Sequence, residues 1–342
     1  MWSPDEYMNR LYDRYDEVRS IAYKQPWQER KTEVRVRLLE AMGGATDAMA
    51  GADLKPVVLE SVEMKDYIME RVAFTTTEDL RIPSYVLIPK RLEHKAPAVI
   101  AWHGHGYGSK EIVGLNPDGT ADEGEPGIHK HFAVQLVRRG MVVLAPEIIG
   151  FGDRRLAADR GKDPRKSSSC FALASRLLLH GQTLAGLRIA EAMRSLDYLL
   201  SREEVDPERI GCMGFSGGGL IASLSAALDE RIKAVVLCAF TSTSRGSLLA
   251  MNHCIDNYLP SILRYADLPE LIGLIAPRAL FVESGQEDPL FPVSSVLDAL
   301  SVLERIYKEE DAAERLGADL FPGKHEISGR QGYDWLARRL RA

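Results

Sequence analysis

The chain has 342 residues, 45% of them hydrophobic and 27% charged, with a net charge of −6. That is enough apolar material for a sizeable buried sheet, and the acidic balance gives no electrostatic reason to expect nucleic acid or an anionic membrane as a partner. No apolar run approaches the roughly 18–20 residues needed to span a bilayer.

The opening stretch "MWSPDEYMNRLYDRYDEVRS" alternates charges where an export signal needs an apolar core, so a cytoplasmic protein is expected. Residues 4–23 and 27–42 read as two helices, the second preceded by Pro26 and stopped by Gly43–Gly44. The small, turn-prone "GATDAMAGADLKP" (44–56) reads as a link. Residues 1–56 are thus expected to form a helical extension and linker, and 57–342 the main domain. The β-like runs 67–74 and 81–90 predict an antiparallel pair.

Beyond them the pattern changes. Short apolar runs at 98–104, 141–147, 209–215, 234–240, 279–285 and 318–323 alternate with helix candidates near 129–139, 182–201, 217–228, 293–308 and 329–341. Runs without polar alternation suit strands buried on both faces, and their alternation with helices implies βαβ crossovers. The expected fold is α/β, a mostly parallel doubly wound sheet. Three connections, 105–128, 148–181 and 241–276, exceed simple turns and are expected to form a small lid and pocket walls. In the third, Leu248, Leu249, Tyr258, Leu259 and Ile262 read as one apolar face. The four cysteines, Cys170, Cys212, Cys238 and Cys254, contain no CxxC pair, so reduced thiols are expected. Cys212 and Cys238, inside apolar runs, read as small buried hydrophobes.

The stretch "RIGCMGFSGGGL" (209–220) holds the motif Gly214-Phe215-Ser216-Gly217-Gly218 at a strand-to-helix turn. Such a turn strains the serine backbone, exposes its hydroxyl above the sheet and leaves no room for side chains at Gly214 and Gly218. No Lys–Ser/Thr pair follows the glycines, which sets a phosphate-binding P-loop aside. A serine nucleophile needs a base, and the base needs an acid, in the order Ser…Asp/Glu…His. His325, in "FPGKHEI", lies beyond the last acid strand. The turn after "ALFVES" offers Glu287 and Asp288; Asp288 is favoured because Pro289 starts a new turn, with Glu287 the alternative. Oxyanion donors are expected from the backbone N–H of Gly217 and, in the glycine-rich "AWHGHGYGSK", of His105. His103 and His105 lack a third ligand at metal spacing, so no metal and no cofactor is expected. Packing and loop anchoring are the reading for them, and a helix start for His129 and His131. Arg154 and Arg155, after the strand at 141–147, are candidate carboxylate clamps, set against a salt bridge to Asp153 or Asp159.

On these residues the chain resembles the α/β-hydrolase superfamily and, within it, the dienelactone hydrolase and acetyl xylan esterase neighbourhood. The resemblance covers roughly residues 67–342 and rests on "HGHGYG", "APEIIGFGDRR", "HGQTLAGLRIAEAMRSLDYL", "VDPERIGCMGFSGGG", "LIAPRALFVESGQEDPLFPV" and "FPGKHE". It implies a Ser216–His325–Asp288 triad with the amides of Gly217 and His105 as oxyanion hole. Two positions differ: acetyl xylan esterases of this type carry glutamine where this chain has Gly217, and dienelactone hydrolases use cysteine where it has Ser216.

The expected activity is hydrolysis of a small-molecule carboxylic ester with a small acyl group through an acyl-enzyme. The alternatives are a peptidase of the prolyl-oligopeptidase type and a non-catalytic binding protein on the same fold. A peptidase of that type usually carries a large N-terminal propeller, which the residues before 67 cannot build. A homo-oligomer is compatible with the sequence.

Overall fold

The structure is a computed structural model and describes residues 2–44, 53–77, 79–92 and 94–341. Most of the expected link at 44–56, namely residues 45–52, lies outside the described residues. In chain order the elements are α1 (Asp5–Ala22), α2 (Trp27–Met42), β1 (Val57–Glu63), β2 (Tyr67–Thr77), β3 (Leu80–Pro89), β4 (Ala96–Trp102), α3 (Ser109–Ile112), α4 (Phe132–Val137) and β5 (Val142–Pro146). There follow α5 (Cys170–Leu178), α6 (Leu184–Leu200), β6 (Val205–Phe215), α7 (Gly217–Leu228), β7 (Ile232–Cys238), α8 (Leu268–Gly273), β8 (Ala279–Gly285), α9 (Val293–Glu309), β9 (Leu316–Phe321) and α10 (Gly332–Arg339).

The strands form one nine-stranded sheet in the order β1-β2-β3-β5-β4-β6-β7-β8-β9. The first three strands and the β3–β5 contact are antiparallel, and every pairing from β5 to β9 is parallel. The alternation of side chains along a strand explains why the central runs are apolar throughout. In β4, Ala98, Ile100 and Trp102 enter one core while Val99 and Ala101 enter the other; in β7, Val235 and Leu237 oppose Ala234, Val236 and Cys238. Helices α2 and α5 to α9 cover the first face, and α3, α4 and α10 the second. Cys212 and Cys238 are fully buried in their strands.

Helix α2 buries Trp27, Val34, Leu38 and Met42, residues spaced to share one side of a helix, in the same core as the sheet. Its Arg30 pairs with Glu270 in α8, both side chains buried, and Lys31 reaches Glu310 at 2.9 Å. Four elements have no counterpart in the sequence reading, among them the short α3 inside the first long connection. Strand β1 is exposed along its whole length, and α5 and α8 lie inside the second and third long connections. Leu248, Leu259 and Ile262 join the core, whereas Leu249 and Tyr258 remain exposed. Among the described residues no helix is long and apolar enough to cross a membrane.

The chain leaves β4 for β5 on one side and returns to β6 on the other. Ligands of open α/β sheets sit at the C-terminal strand ends where such a reversal opens a crevice. Here that places the loop after β4 beside the turn after β6, since Trp102 pairs with Gly214.

Candidate active site

Ser216 sits between the last residue of β6 and the first of α7 with φ 52° and ψ −121°, a strained backbone for a residue with a side chain. Its N–H donates to the Cys238 carbonyl at 2.9 Å, and its carbonyl accepts from the Gly219 N–H at 2.7 Å, so the turn is tied to both neighbours. The flanking glycines are required by space. A Cβ on Gly214 would press into the carbonyl of Gly218, and one on Gly218 into the carbonyl of Trp102.

His325 lies in the loop after β9 and Asp288 in the turn after β8. His325 Nε2 is 3.0 Å from Ser216 Oγ, and His325 Nδ1 is 2.8 Å from Asp288 Oδ2. Asp288 is buried, and its other oxygen accepts from the N–H groups of Leu290 at 2.8 Å and Phe291 at 3.1 Å. An acceptor-only carboxylate fixed in this way selects the imidazole tautomer with its proton on Nδ1, which leaves Nε2 as acceptor for the Ser216 hydroxyl. Phe291 stacks on the His325 ring at 5.8 Å between centroids, with Phe215 on its other contact at 5.0 Å. Glu287, the alternative acid, is an exposed side chain.

The loop that carries His325 is held from below. Glu283, buried near the end of β8, accepts from the N–H of Ser328 at 2.9 Å and of Gly329 at 3.0 and 3.1 Å. Burial pushes the Glu283 carboxyl above its ordinary range despite these donors.

The loop after β4 is built on buried acids and imidazoles. His103 Nε2 accepts from the Ile148 N–H at 3.1 Å, and its Nδ1 lies 2.8 Å from the Gly104 carbonyl. The Gly104 N–H donates to His129 Nε2 at 3.0 Å, and His129 Nδ1 lies 2.9 Å from Glu111. Burial holds the His129 imidazole below its ordinary pKa, outweighing the Glu111 carboxylate. The Tyr107 N–H donates to Glu111, and the Ser109 N–H and hydroxyl donate to Glu147. Gly108, at φ 100°, faces Glu147 so closely that any side chain would displace the carboxylate. His103 therefore anchors the loop, as read, and His129 belongs to the same scaffold, whereas the His105 side chain is exposed; His131 contacts Asp122 at 3.0 Å, just ahead of α4.

A cavity of about 180 Å³ opens at Ser216, lined by His105, Gly217, Asn252, His253, Cys254, Asn257, Leu290 and Phe291. Gly217 and His105 thus meet at Ser216, with the His105 ring packed edge-on against Phe151 at 5.0 Å. Desolvation lowers His253 below the ordinary histidine range. Of the three long connections, the first and third supply cavity walls; the second does not line it, and residues 290–291 take its place.

Arg154 and Arg155 are not brought to this cavity, and the clamp expectation is corrected. The Arg154 guanidinium is held by both oxygens of Glu191 on α6, at 2.6 and 2.5 Å, with both side chains buried. Arg155 donates to the carbonyls of Gly152, Asp159 and Lys162 and to the Ser167 hydroxyl. The salt-bridge reading holds for Arg154 in kind, with Glu191 in place of Asp153 or Asp159.

Sequence reasoning missed Glu111, Glu147 and Glu283 and read His129 only as a helix start. Glu147, Glu283 and His129 accept from backbone N–H groups of distant loops and Glu111 from Tyr107 in its own loop, and such side-chain-to-amide pairings leave no spacing rule in a single sequence.

The model of the Abhydrolase family matches residues 8–302. YtaP of Bacillus subtilis (strain 168), which carries the name of a hydrolase, is 32% identical over 275 residues, covering 77% of this chain and 85% of its own. A protein of Salmonella typhimurium named as a carboxymethylenebutenolidase is 26% identical over 228 residues, covering 62% of this chain and 73% of its own. Among solved structures, Acetyl Xylan Esterase 1 from Thermoanaerobacterium sp. superposes with a TM-score of 0.62 at 21% identity, covering 91% of this chain and 98% of that one.

Proposed function

The chain belongs to the Abhydrolase family, and from that premise we propose that it is a serine esterase acting on a carboxylic ester with a small acyl group. One observation carries the reading: a single imidazole links the strained Ser216 to a buried carboxylate in an unbroken hydrogen-bonded line at the edge of a cavity.

In this reading Ser216 Oγ attacks the ester carbonyl while His325 Nε2 takes its proton. Asp288 holds the Nδ1 proton and stabilises the imidazolium as it forms. The N–H groups of Gly217 and His105 donate to the oxygen that gains charge. His325 then protonates the departing alcohol, and a water activated by the same ring releases the acid from Ser216. A cavity of about 180 Å³ is smaller than the roughly 300–1,000 Å³ of sites for drug-sized ligands. It therefore favours acetyl-sized groups over long acyl chains. Catalysis of this kind uses no metal or organic cofactor.

Hydrolysis of p-nitrophenyl acetate, a longer-chain p-nitrophenyl ester and an aminoacyl anilide tests the reading. The acetyl ester should be turned over fastest, and Ser216→Ala should lower kcat by about a million-fold, as losses of a catalytic serine do. Faster anilide cleavage would favour a peptidase. Wild type no faster than Ser216→Ala would leave a binding protein.

A further inference from the structure

Beside the Ser216 cavity the fold gathers three ligating side chains from three separate segments. A ring nitrogen of His105 and the sulfurs of Cys170 and Cys254 all lie within 4.8 Å of one another, the one such set among the described residues. His105 comes from the loop after β4, Cys170 is the first residue of α5, and Cys254 belongs to the long connection before α8. No sequence spacing signals this set, because 65 residues separate the first two and 84 the last two.

We infer that His105, Cys170 and Cys254 form a binding site for a thiophilic divalent ion, Zn²⁺ by ligand type. Two thiolates and one imidazole with an open fourth position suit a tetrahedral ion that keeps an exchangeable ligand. Metal–ligand lengths of about 2.3 Å to sulfur and 2.0–2.1 Å to nitrogen imply tetrahedral edges of about 3.5–3.8 Å. The separations in the structure, all within 4.8 Å, exceed those edges by no more than about 1 Å.

The surrounding charges support a dication. Arg188 lies against Cys170, its Nη2 3.1 Å from the sulfur, but its charge is matched by the buried carboxylate of Asp256, to which it is directly paired. The Arg–Asp pair is neutral as a unit. Binding releases the two thiol protons to solvent, so two thiolates and a 2+ ion also sum to zero, the arrangement a low-dielectric site accepts at least cost. The polar contacts that hold Arg188, to Asp256, Cys170 and the Ile149 carbonyl at 2.8 Å, keep Cys170 in place.

Two of the three ligands, His105 and Cys254, also line the Ser216 cavity. An ion between them narrows the space at Ser216, so occupancy slows ester hydrolysis. This consequence rests on the esterase reading, whereas the site itself does not.

The test uses full-length protein, reduced and freed of metal by a chelator, titrated with Co²⁺ and separately with Zn²⁺. The expected result is one ion per chain and a thiolate-to-cobalt charge-transfer absorption displaced by Zn²⁺. Loss of partners outside the ligand set already weakens metal sites by about 10–100-fold. Cys170→Ala and Cys254→Ala should each therefore weaken binding by more than about 100-fold, and Ser216→Ala should bind as wild type does while losing esterase activity. Should the cysteine variants fail to fold, X-ray absorption of zinc-loaded wild type decides instead. Two sulfurs at about 2.3 Å with one nitrogen support the site, and a shell of nitrogen and oxygen alone overturns it. Absence of the charge-transfer band in reduced wild type, or its survival in both cysteine variants, also overturns it.

Discussion

Asp288 and Glu287 are adjacent carboxylates with opposite environments. Asp288 is buried, receives two backbone N–H groups on one oxygen and faces His325 with the other, whereas Glu287 extends into solvent. Asp288→Asn should lower kcat for an acetyl ester by about 10⁴-fold, the size of effect seen when a triad imidazole is offered the wrong hydrogen-bond partner. Glu287→Gln should change kcat less than about twofold and stability by less than about 0.5 kcal/mol; steady-state kinetics on both variants checks this. His129 bears on pH. Burial depresses its folded pKa below the unfolded value of about 6.5, so it adds stability above that pH. The contribution is lost as pH falls through the folded value. Urea unfolding at pH 7 and pH 5 should therefore show a smaller loss of stability on acidification in His129→Gln than in wild type. Equal losses would remove His129 from the account. Ser216 and His325 were legible because a glycine pattern and a strand end mark them. The partner of Arg154 was not, since a charge on a sequence does not name the opposite charge that folding brings to it.

Turns and loops, rather than regular elements, hold the site in register. At the Ser216 turn the obstacle to a side chain on Gly218 is the backbone carbonyl of Trp102, which cannot swing away. Gly218→Ala should cost about 1–3 kcal/mol or more, visible as a lowered thermal midpoint, together with a fall in kcat as Ser216 shifts. An alanine variant as stable and as active as wild type would contradict this. Glu283 acts through the 326–329 segment as a positioning residue for His325. Glu283→Ala leaves the N–H groups of Ser328 and Gly329 unpaired, at about 1–3 kcal/mol for each buried donor, and should lower kcat more than it raises KM. Glu283→Gln keeps an acceptor and should recover much of that kcat; failure of glutamine to do better than alanine would make the role one of stability alone. The central strands could be read from sequence because burial on both faces makes them apolar without interruption. Strand β1 could not, for its side chains are all exposed and its order comes from pairing with β2. Helix α8 spans only six residues, too short to display a helical period.

Across the whole molecule, the two helices before the sheet differ in what they contribute. Helix α2 places Leu38 and Met42, both almost fully inaccessible, in the same core as α6 and α7. Leu38→Ala should cost about 2–5 kcal/mol, measured by urea unfolding. Removal of residues 1–56 should expose that face and unfold or aggregate the remainder. Full stability of the 57–342 fragment would establish the boundary drawn from the sequence as a domain boundary. The parallel pairing of β4 to β9 follows from the alternation of strands and helices, and it brings the turns after β4, β6, β8 and β9 to one edge, where His105, Ser216, Asp288 and His325 converge. The side-chain walls of the cavity, by contrast, come from connections whose composition carries no shape. The most direct measurement of the central claim is the intact mass of the protein after reaction with a fluorophosphonate. The account predicts one adduct per chain, mapped to Ser216, absent in Ser216→Ala and formed far more slowly in His325→Ala. An adduct on another residue, or one formed at the wild-type rate without the His325 imidazole, would contradict it.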